Sequence, residues 1–382
     1  MLIFISLFFP LLIAAHTAKA KVCRVKPLMG GQDDGPNILK AFSECARNGK
    51  VVLDKYYVVD TLLMMTGLKN VEIELTGTIQ YTPNIKKWSP QSYYMTYQNA
   101  TAYWFMSGKG SHLVVPWMRT PRWWDYPNKT AGTAGGSSTV FARPIPLTVG
   151  NASNVLIEDL TLINSPFWKN FVYQSDHVTY RNINISSHSY SASKTANSDG
   201  WDIYRSSFVT IEGSFVDTTD DCVCQYANTT DIVENIFVSN ISMSNASNRA
   251  RIKVFGGNPD PLSSAGGGTG YVKNVTYSDF RVTNVDNPIF ITQCYNTPAV
   301  TCAQYPSKLS ISDVHFRMSI INVRGSSSGS EGTRVVDVVC SQTCNNVTAQ
   351  GTELVSPKGP ATYHCEKVAS VGELDFPCAG GT

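Results

Sequence analysis

The sequence lacks long apolar runs and any strong excess of one charge. After residue 14, no apolar stretch approaches the ~20 residues that a membrane-spanning helix needs. Only 16% of the residues are charged, and 31 lysines and arginines nearly balance 29 aspartates and glutamates. Such a chain offers little of the basic surface on which nucleic-acid binding depends. We therefore expect neither a membrane protein nor a nucleic-acid-binding protein.

Helix signals and domain boundaries are also scarce. The clearest helical segment is 34–48, where Pro36 stands near the start and apolar residues recur at helical spacing. No linker or low-complexity segment divides the chain, so residues 21–382 are predicted to form one elongated domain.

Short segments of alternating β-branched residues fill most of the chain. They are 70–77, 154–163, 177–185, 208–216, 235–243, 271–285 and 309–316, with Asn, Gly and Ser between them. Equivalent valines lie 23, 31 and 29 residues apart, from Val155 to Val178, Val209 and Val238. This repeat predicts an all-β, single-stranded parallel β-helix whose open end is capped by the 34–48 helix. A β-sandwich is the alternative, which the wide strand spacing disfavours.

The beginning of the chain predicts its destination. Residues 2–14 are almost wholly apolar and precede Ala18-Lys19-Ala20, a small-x-small cleavage site. We therefore expect residues 1–20 to be a signal peptide and the protein to be secreted into the extracellular space. Nine N-x-S/T sequons agree with passage through a secretory pathway. They start at Asn99, Asn128, Asn151, Asn184, Asn228, Asn240, Asn245, Asn274 and Asn346.

The ten cysteines fall mostly in close pairs. Pairs of this kind are typical of disulfide staples in an oxidising compartment, and their spacing does not resemble a zinc site. We predict the bonds Cys23/Cys45, Cys294/Cys302, Cys340/Cys344 and Cys365/Cys378, whereas Cys222 and Cys224 fit the pattern less well. No metal and no cofactor are expected.

Three carboxylates are the strongest functional signal. Asp199 lies in N-S-D-G-W-D, and Asp220 and Asp221 follow 21 and 22 residues later in D-D-C. That interval is close to one coil of a parallel β-helix, so the acids are expected to stack on one face. Carboxylates gathered in this way repel one another, and their pKa values move apart, which suits them to acid and base roles. The cluster predicts hydrolysis.

Four blocks of sequence resemble those of a known family. They are N-S-D-G at 197–200, D-D-C at 220–222, A-R-I-K-V-F at 250–255 and N-P-I-F-I-T-Q-C-Y at 287–295. They resemble the signature blocks of glycoside hydrolase family 28, the polygalacturonases, and segments 26–34, 142–147 and 231–238 are similar to the fungal exo-acting members. The resemblance implies a right-handed, pectin-lyase-like β-helix. It also implies a monomer that hydrolyses α-1,4-galacturonosyl linkages from the non-reducing end of pectic substrates.

The resemblance also implies roles for individual residues. Asp220 would be the general acid that protonates the glycosidic oxygen, and Asp199 and Asp221 would hold and deprotonate the attacking water, which inverts the anomeric centre. Arg251 and Lys253, two apart on a strand, point the same way and would bind the uronate carboxylate. Tyr295 would lie against the sugar ring.

The sequence departs from the family after D-D-C. Members continue with a coil that carries a second cysteine and a Gly-flanked active-site histidine, whereas here V-C-Q-Y-A-N-T-T follows Cys222 at once. Roughly one coil is missing, and none of the six histidines stands in a Gly-flanked context. Residues 111–121 also differ from the family's usual strand, and a shifted reading frame there returns a similar block. We expect the Arg251 coil to stack directly on the Asp220 coil.

Several alternatives remain open at this point. The chain is either a secreted exopolygalacturonase, a rhamnogalacturonan hydrolase of the same family, or a catalytically impaired glycan-binding homologue. A calcium-dependent pectate lyase shares the fold, but the family blocks argue against it. The aromatic group at 123–126 either stacks on a sugar or is buried in the core, and packing is favoured.

Overall fold

The structure is a computed structural model of the chain. It describes residues 20–114, 117–119, 123–124, 142–190, 192, 195–218, 220, 230–260, 268–317 and 323–379. Six features of the sequence lie outside the described residues: the predicted signal peptide, Asp221, the cysteines Cys222 and Cys224, and the sequons at Asn128 and Asn228.

Within the described residues strands dominate, with three short α-helices and two 3-10 turns. The helices are α1 (Gly35–Glu44), α2 (Ile85–Gln91) and α3 (Ala299–Gln304), and the 3-10 turns are Tyr97–Asn99 and Val371–Glu373. The strands are β1 (Val22–Arg24), β2 (Lys50–Val52), β3 (Tyr56–Val59), β4 (Leu63–Lys69), β5 (Glu72–Glu74), β6 (Thr78–Tyr81), β7 (Tyr93–Tyr94), β8 (Thr101–Ala102), β9 (Trp104–Lys109), β10 (His112–Val114), β11 (Trp117–Arg119), β12 (Leu147–Glu158), β13 (Thr161–Ile163), β14 (Asn170–Tyr173), β15 (Asp176–Arg181), β16 (Asn184–Ser186), β17 (Trp201–Tyr204), β18 (Ser207–Glu212), β19 (Phe215–Asp217), β20 (Thr230–Ser244), β21 (Asn248–Phe255), β22 (Thr269–Val285), β23 (Asn287–Tyr295), β24 (Lys308–Arg317), β25 (Arg324–Ser327), β26 (Arg334–Ala349), β27 (Glu353–Val355) and β28 (Thr362–Val368).

The strands stack in three parallel columns, as a β-helix requires. One column runs through β2, β5, β10, β12, β15, β18, β20, β22, β24 and β26. The second runs through β3, β6, β11, β13, β16, β19, β20, β22, β25 and β27. The third contains β4, β9, β12, β14 and β17 and, further along, β21, β23, β26 and β28. The predicted right-handed parallel β-helix is confirmed, and the β-sandwich is excluded.

The predicted register holds for two of its three steps. Val155 pairs with Val178, and Val178 pairs with Val209. The third step was wrong, because Val209 pairs with Ile236, and Val238 pairs with the neighbouring Ile211 instead. The difference is two residues, and side chains alternate with a period of two along a strand, so the same face still points inward.

The core is a set of side-chain stacks that run along the helix axis. Ile157, Tyr180, Ile211 and Val238 occupy equivalent inward positions on successive coils and are buried. Further along, the rings of Tyr277 and Phe316 stack with centroids 5.4 Å apart. Each coil therefore buries its apolar face only against its neighbours.

Helix α1 covers the first coil, as predicted, although it is shorter than residues 34–48. Its buried side chains include Ile38 and Phe42, and the ring of Phe42 meets Trp104 edge to face at 5.9 Å. The helix ends at Glu44, and the next residue, Cys45, is bonded to Cys23. Helices α2 and α3 were not predicted, because seven and six residues are too few to show helical periodicity.

All four predicted disulfides are present: Cys23–Cys45, Cys294–Cys302, Cys340–Cys344 and Cys365–Cys378. The second of them fastens α3 to the end of β23. Within the described ranges, no helix has both the length and the apolar character needed to cross a bilayer.

Candidate active site

Asp199 lies in the loop that joins β16 to β17, immediately before the buried strand Trp201–Tyr204. Only 1% of its surface is exposed. Its carbonyl oxygen accepts a hydrogen bond from the backbone N–H of Lys169 on the preceding coil, at 2.8 Å. The strand pairing Asn170↔Trp201 continues directly from this bond, so the sheet itself sets the position of Asp199.

Asp220 lies one coil further on, just after β19. Its Oδ2 atom accepts a hydrogen bond from the backbone N–H of Asn197, at 2.8 Å. The two acidic loops are therefore hydrogen-bonded across neighbouring coils, which agrees with the predicted stacking of Asp199 and Asp220. The third predicted acid, Asp221, lies outside the described residues.

A cleft of about 590 Å³ opens beside Asp220. Loops that follow the second column of strands line it, and they include His188, Asn245, Asp286 and Ser328. The histidine side chain is 58% exposed, and its Nε2 atom lies 3.0 Å from a carboxylate oxygen of Asp217. The sequence did not single out this histidine, because no glycines flank it.

Arg143 supports the loop that carries Asp199 from inside the protein. Its guanidinium donates to the carbonyl oxygen of Ala196 at 2.9 Å and to Oδ1 of Asn197, and it stands over the ring of Phe167 at 4.9 Å. The residue is 5% exposed. Burial lowers the pKa of Arg143 to about 10, and the charges of Asp199 and Asp220 oppose that shift.

Lys169 is a second buried cation next to Asp199. Its side chain is fully buried, and its ammonium lies 5.8 Å from the ring centre of Trp124. Burial lowers the pKa of Lys169 to about 7, and the charge of Asp199 opposes the shift. No sequence pattern predicted a role for Arg143 or Lys169. Two features of the sequence could have pointed to them. Arg143 lies in segment 142–147, which is similar to the exo-acting family members, and Lys169 lies among the aromatic residues of 167–171.

Arg251, Lys253 and Tyr295 form one cluster, as predicted. The Arg251 guanidinium lies 5.2 Å, and the Lys253 ammonium 5.0 Å, from the centre of the Tyr295 ring. Arg251 also stands 5.1 Å from the ring centre of Phe290, its partner on β23. Both cations are more than nine-tenths buried. They are therefore not ordinary solvated surface charges.

The coil with Arg251 stacks directly on the coil with Asp220. β19, which ends three residues before Asp220, pairs with residues 242–244 of β20, and β21 begins four residues after that strand ends. The direct stacking expected for a chain that lacks one coil is therefore present in the strand pairing. The residues between Asp220 and β20 lie outside the described part of the chain.

Two other sequence hypotheses can be compared with the structure. Trp123 and Trp124 are 0% and 5% exposed, and Trp123 packs edge to face on Tyr103, so the packing interpretation is confirmed for these two rings. The described sequon asparagines are all exposed, but Asn245 lines the cleft and donates to Asp217. In the described ranges, no cluster of three His, Cys, Asp or Glu side chains is arranged to hold a metal ion.

Comparison with known proteins identifies the family. The chain is 36% identical to the "Probable exopolygalacturonase X" of Aspergillus fumigatus, over 94% of this chain and 89% of that protein. It is 35% identical to the "Exopolygalacturonase" of Cochliobolus carbonum, over 93% and 85% of the two chains. Among solved structures, the endo-xylogalacturonan hydrolase of Aspergillus tubingensis matches with a TM-score of 0.71 at 22% identity, over 94% of this chain and 99% of that one. This last match concerns the fold alone.

The family model for glycosyl hydrolases family 28 matches residues 49–232 and 224–373. The two matches overlap at 224–232, beside the junction at which the sequence comparison predicts a missing coil. The alignment with the A. fumigatus protein spans 406 positions, to which this chain contributes 94% of its 382 residues. The alignment is longer than this contribution, and the A. fumigatus protein therefore contains residues that this chain lacks. Because the family model and these relatives both cover nearly the whole chain, the chain belongs to glycosyl hydrolases family 28.

Proposed function

We propose that this protein is a secreted exopolygalacturonase that removes galacturonic acid from the non-reducing ends of pectic chains, with inversion. The observation that carries the proposal is the site itself. The loops that carry Asp199 and Asp220 are joined across neighbouring coils by the hydrogen bond from the Asn197 N–H to the Asp220 carboxylate, and the cations Arg251 and Lys253 lie on the next coil of the stack. The names of the curated relatives support the exo-acting assignment.

In the proposed mechanism, Asp220 donates its proton to the glycosidic oxygen as the bond to the anomeric carbon breaks. Asp199, together with Asp221, accepts a proton from the water that attacks the opposite face of the sugar. An inverting site needs ~6.5–9.5 Å between acid and base so that this water fits. Adjacent coils are ~4.8 Å apart, so this mechanism requires a sideways offset between the acids to supply the rest.

Arg251 and Lys253 provide the specificity for a uronate. Two cations on one face of β21, both held against Tyr295, form charge-assisted hydrogen bonds with the carboxylate of the sugar. The Tyr295 ring, half-buried between them, offers an apolar face to the pyranose.

The test is a product analysis on de-esterified polygalacturonate. An exo-acting enzyme releases monomeric galacturonic acid from the first minutes, whereas an endo-acting enzyme first produces a ladder of oligomers. Proton NMR of the fresh product distinguishes inversion from retention, because the anomer released by inversion is the β form. Release from rhamnogalacturonan in place of polygalacturonate would support the alternative substrate.

A catalytically impaired, glycan-binding homologue is the second candidate. Two observations favour it: the split match of the family model at 224–232 and the direct stacking of the Asp220 and Arg251 coils. A shift of one coil moves Arg251 by ~4.8 Å relative to the acids, and a displacement of even ~1 Å can cost on the order of a hundredfold in rate. Binding of oligogalacturonides without release of sugar would establish this candidate over the first.

A further inference from the structure

Arg143 and Lys169 are buried beside the loop that carries Asp199, and neither lines the cleft next to Asp220. Arg143 is connected to both acidic loops through one short chain of contacts: it binds Ala196 and Asn197, and the Asn197 N–H binds the Asp220 carboxylate. Lys169 is connected to Asp199, because its backbone N–H donates to the Asp199 carbonyl oxygen, and the charge of Asp199 raises the pKa of the buried Lys169 against the effect of burial.

Packing alone does not account for Lys169. An ammonium group with no exposed surface loses its hydration, and its ordinary pKa of about 10.4 falls to about 7 in this protein. Because the pKa in the folded protein is below the unfolded value, protonation of Lys169 opposes folding below about pH 10, and the full cost is present below about pH 7. An apolar side chain of the same length would avoid this cost.

We infer that Arg143 and Lys169 are positioning residues for the proposed hydrolysis, which hold the two acidic loops in register and supply the positive charge that sets the ionisation of Asp199 and Asp220. This inference rests on the proposed function. No contact with substrate is assigned to either cation, so neither is called a catalytic residue. The charge of Asp199, before β17, raises the pKa of both cations, and the charge of Asp220, after β19, raises that of Arg143.

The two cations differ in which acid they influence. Arg143 acts on both Asp199 and Asp220, whereas Lys169 acts on Asp199. A nearby positive charge lowers the pKa of a carboxyl by about 1 to 3 units. Removing Arg143 should therefore raise the pKa of both acids, whereas removing Lys169 should raise the pKa of Asp199 alone.

This difference produces a signature in the pH profile of kcat/KM. The acidic limb reports the base, Asp199, and the basic limb reports the acid, Asp220. Arg143→Gln should move both limbs to higher pH by about one unit, and Lys169→Met should move only the acidic limb. Arg143→Lys, which keeps the charge but loses the planar fork, should leave the limbs near their wild-type positions while kcat falls about a hundredfold.

Arg205→Gln is the matched control. Arg205 directly follows β17, and its Nε atom lies 2.6 Å from an oxygen of the fully buried Asp231. This variant therefore also breaks a partly buried ion pair. We expect it to lower the melting temperature without moving either limb. If the role of Arg143 were purely structural, Arg143→Gln would likewise lower the melting temperature, and kcat with it, but would leave both limbs of the pH profile in place. That result would overturn the inference.

A readout without turnover separates this inference from the proposed function. ¹³C-carboxyl NMR titration of aspartate-labelled protein, assigned with Asp199→Asn and Asp220→Asn, gives the two pKa values directly. Higher values for both acids in Arg143→Gln, and for Asp199 alone in Lys169→Met, would support the inference even if the wild-type protein released no sugar. Unchanged values would refute it, even in a fully active enzyme.

Discussion

Replacing Asp220 by Asn should abolish most of the turnover while leaving the fold and substrate binding nearly intact. The asparagine has the same shape, and its Oδ1 atom can still accept the hydrogen bond that Asn197 donates to Asp220 at 2.8 Å. What the variant loses is the transferable proton. General acid catalysis contributes typically ~10²- to 10⁴-fold, so the activation barrier should rise by roughly 3 to 5 kcal/mol.

The assay is the initial rate of reducing-sugar release from polygalacturonate, with kcat and KM determined separately. Because the proton is needed mainly in the transition state, kcat should carry the loss and KM should change little. Asp217→Asn is the matched control, since it alters a carboxylate three residues away that pairs with an exposed histidine, and it should keep most of the activity. Near-normal turnover of the Asp220 variant would refute its assignment as the acid.

Three further predictions concern the substrate, the missing coil and stability. Methyl-esterified pectin should be a poorer substrate than polygalacturonate, and Arg251→Gln should reduce the difference in kcat/KM between the two substrates. Equal wild-type rates on both substrates would contradict a carboxylate-binding role for Arg251 and Lys253. The chain as given should have low activity. Insertion of a family-like coil between residues 223 and 225 should raise reducing-sugar release by orders of magnitude, when both proteins are compared at the same concentration of folded protein. Full activity without the insertion would show that the coil is dispensable. Replacing both Cys23 and Cys45 by Ala should lower the free energy of unfolding by roughly 3 kcal/mol in a urea titration, because the bond joins residues 22 apart; an unchanged midpoint would show that α1 holds this end without it.

Much of the architecture follows from local sequence patterns. Alternating β-branched residues at intervals of 23 and 31 predict which valines stack, and Val155, Val178 and Val209 do so. A strand needs only a period of two, which is visible in a single sequence. The error at Val238 shows the limit of this signal. The pattern identifies the inward face, but the lengths of the intervening loops determine which inward residue pairs with which.

The sequence pattern did not predict the short helices α2 and α3, because their structure depends on distant residues that pack against them. Helix α2 has seven residues, contains Pro90 and is held by the buried ring of Trp88, while α3 depends on a disulfide to β23. Elements of this length are stabilised by what they pack against, and intrinsic propensity contributes little to them.

Some residues of the candidate site can likewise be predicted from the sequence, and others cannot. The sequence by itself determined that Asp199 and Asp220 lie one coil apart and that Arg251 and Lys253 point the same way from a strand, because both are visible as spacing, whereas Tyr295 and the roles of these residues come from the family resemblance. Only the tertiary structure decided that Arg143 and Lys169 lie buried beside the loop that carries Asp199. Whether a cation is a solvated surface charge or a desolvated partner depends on which distant segments cover it, and the residues next to it in sequence do not specify them.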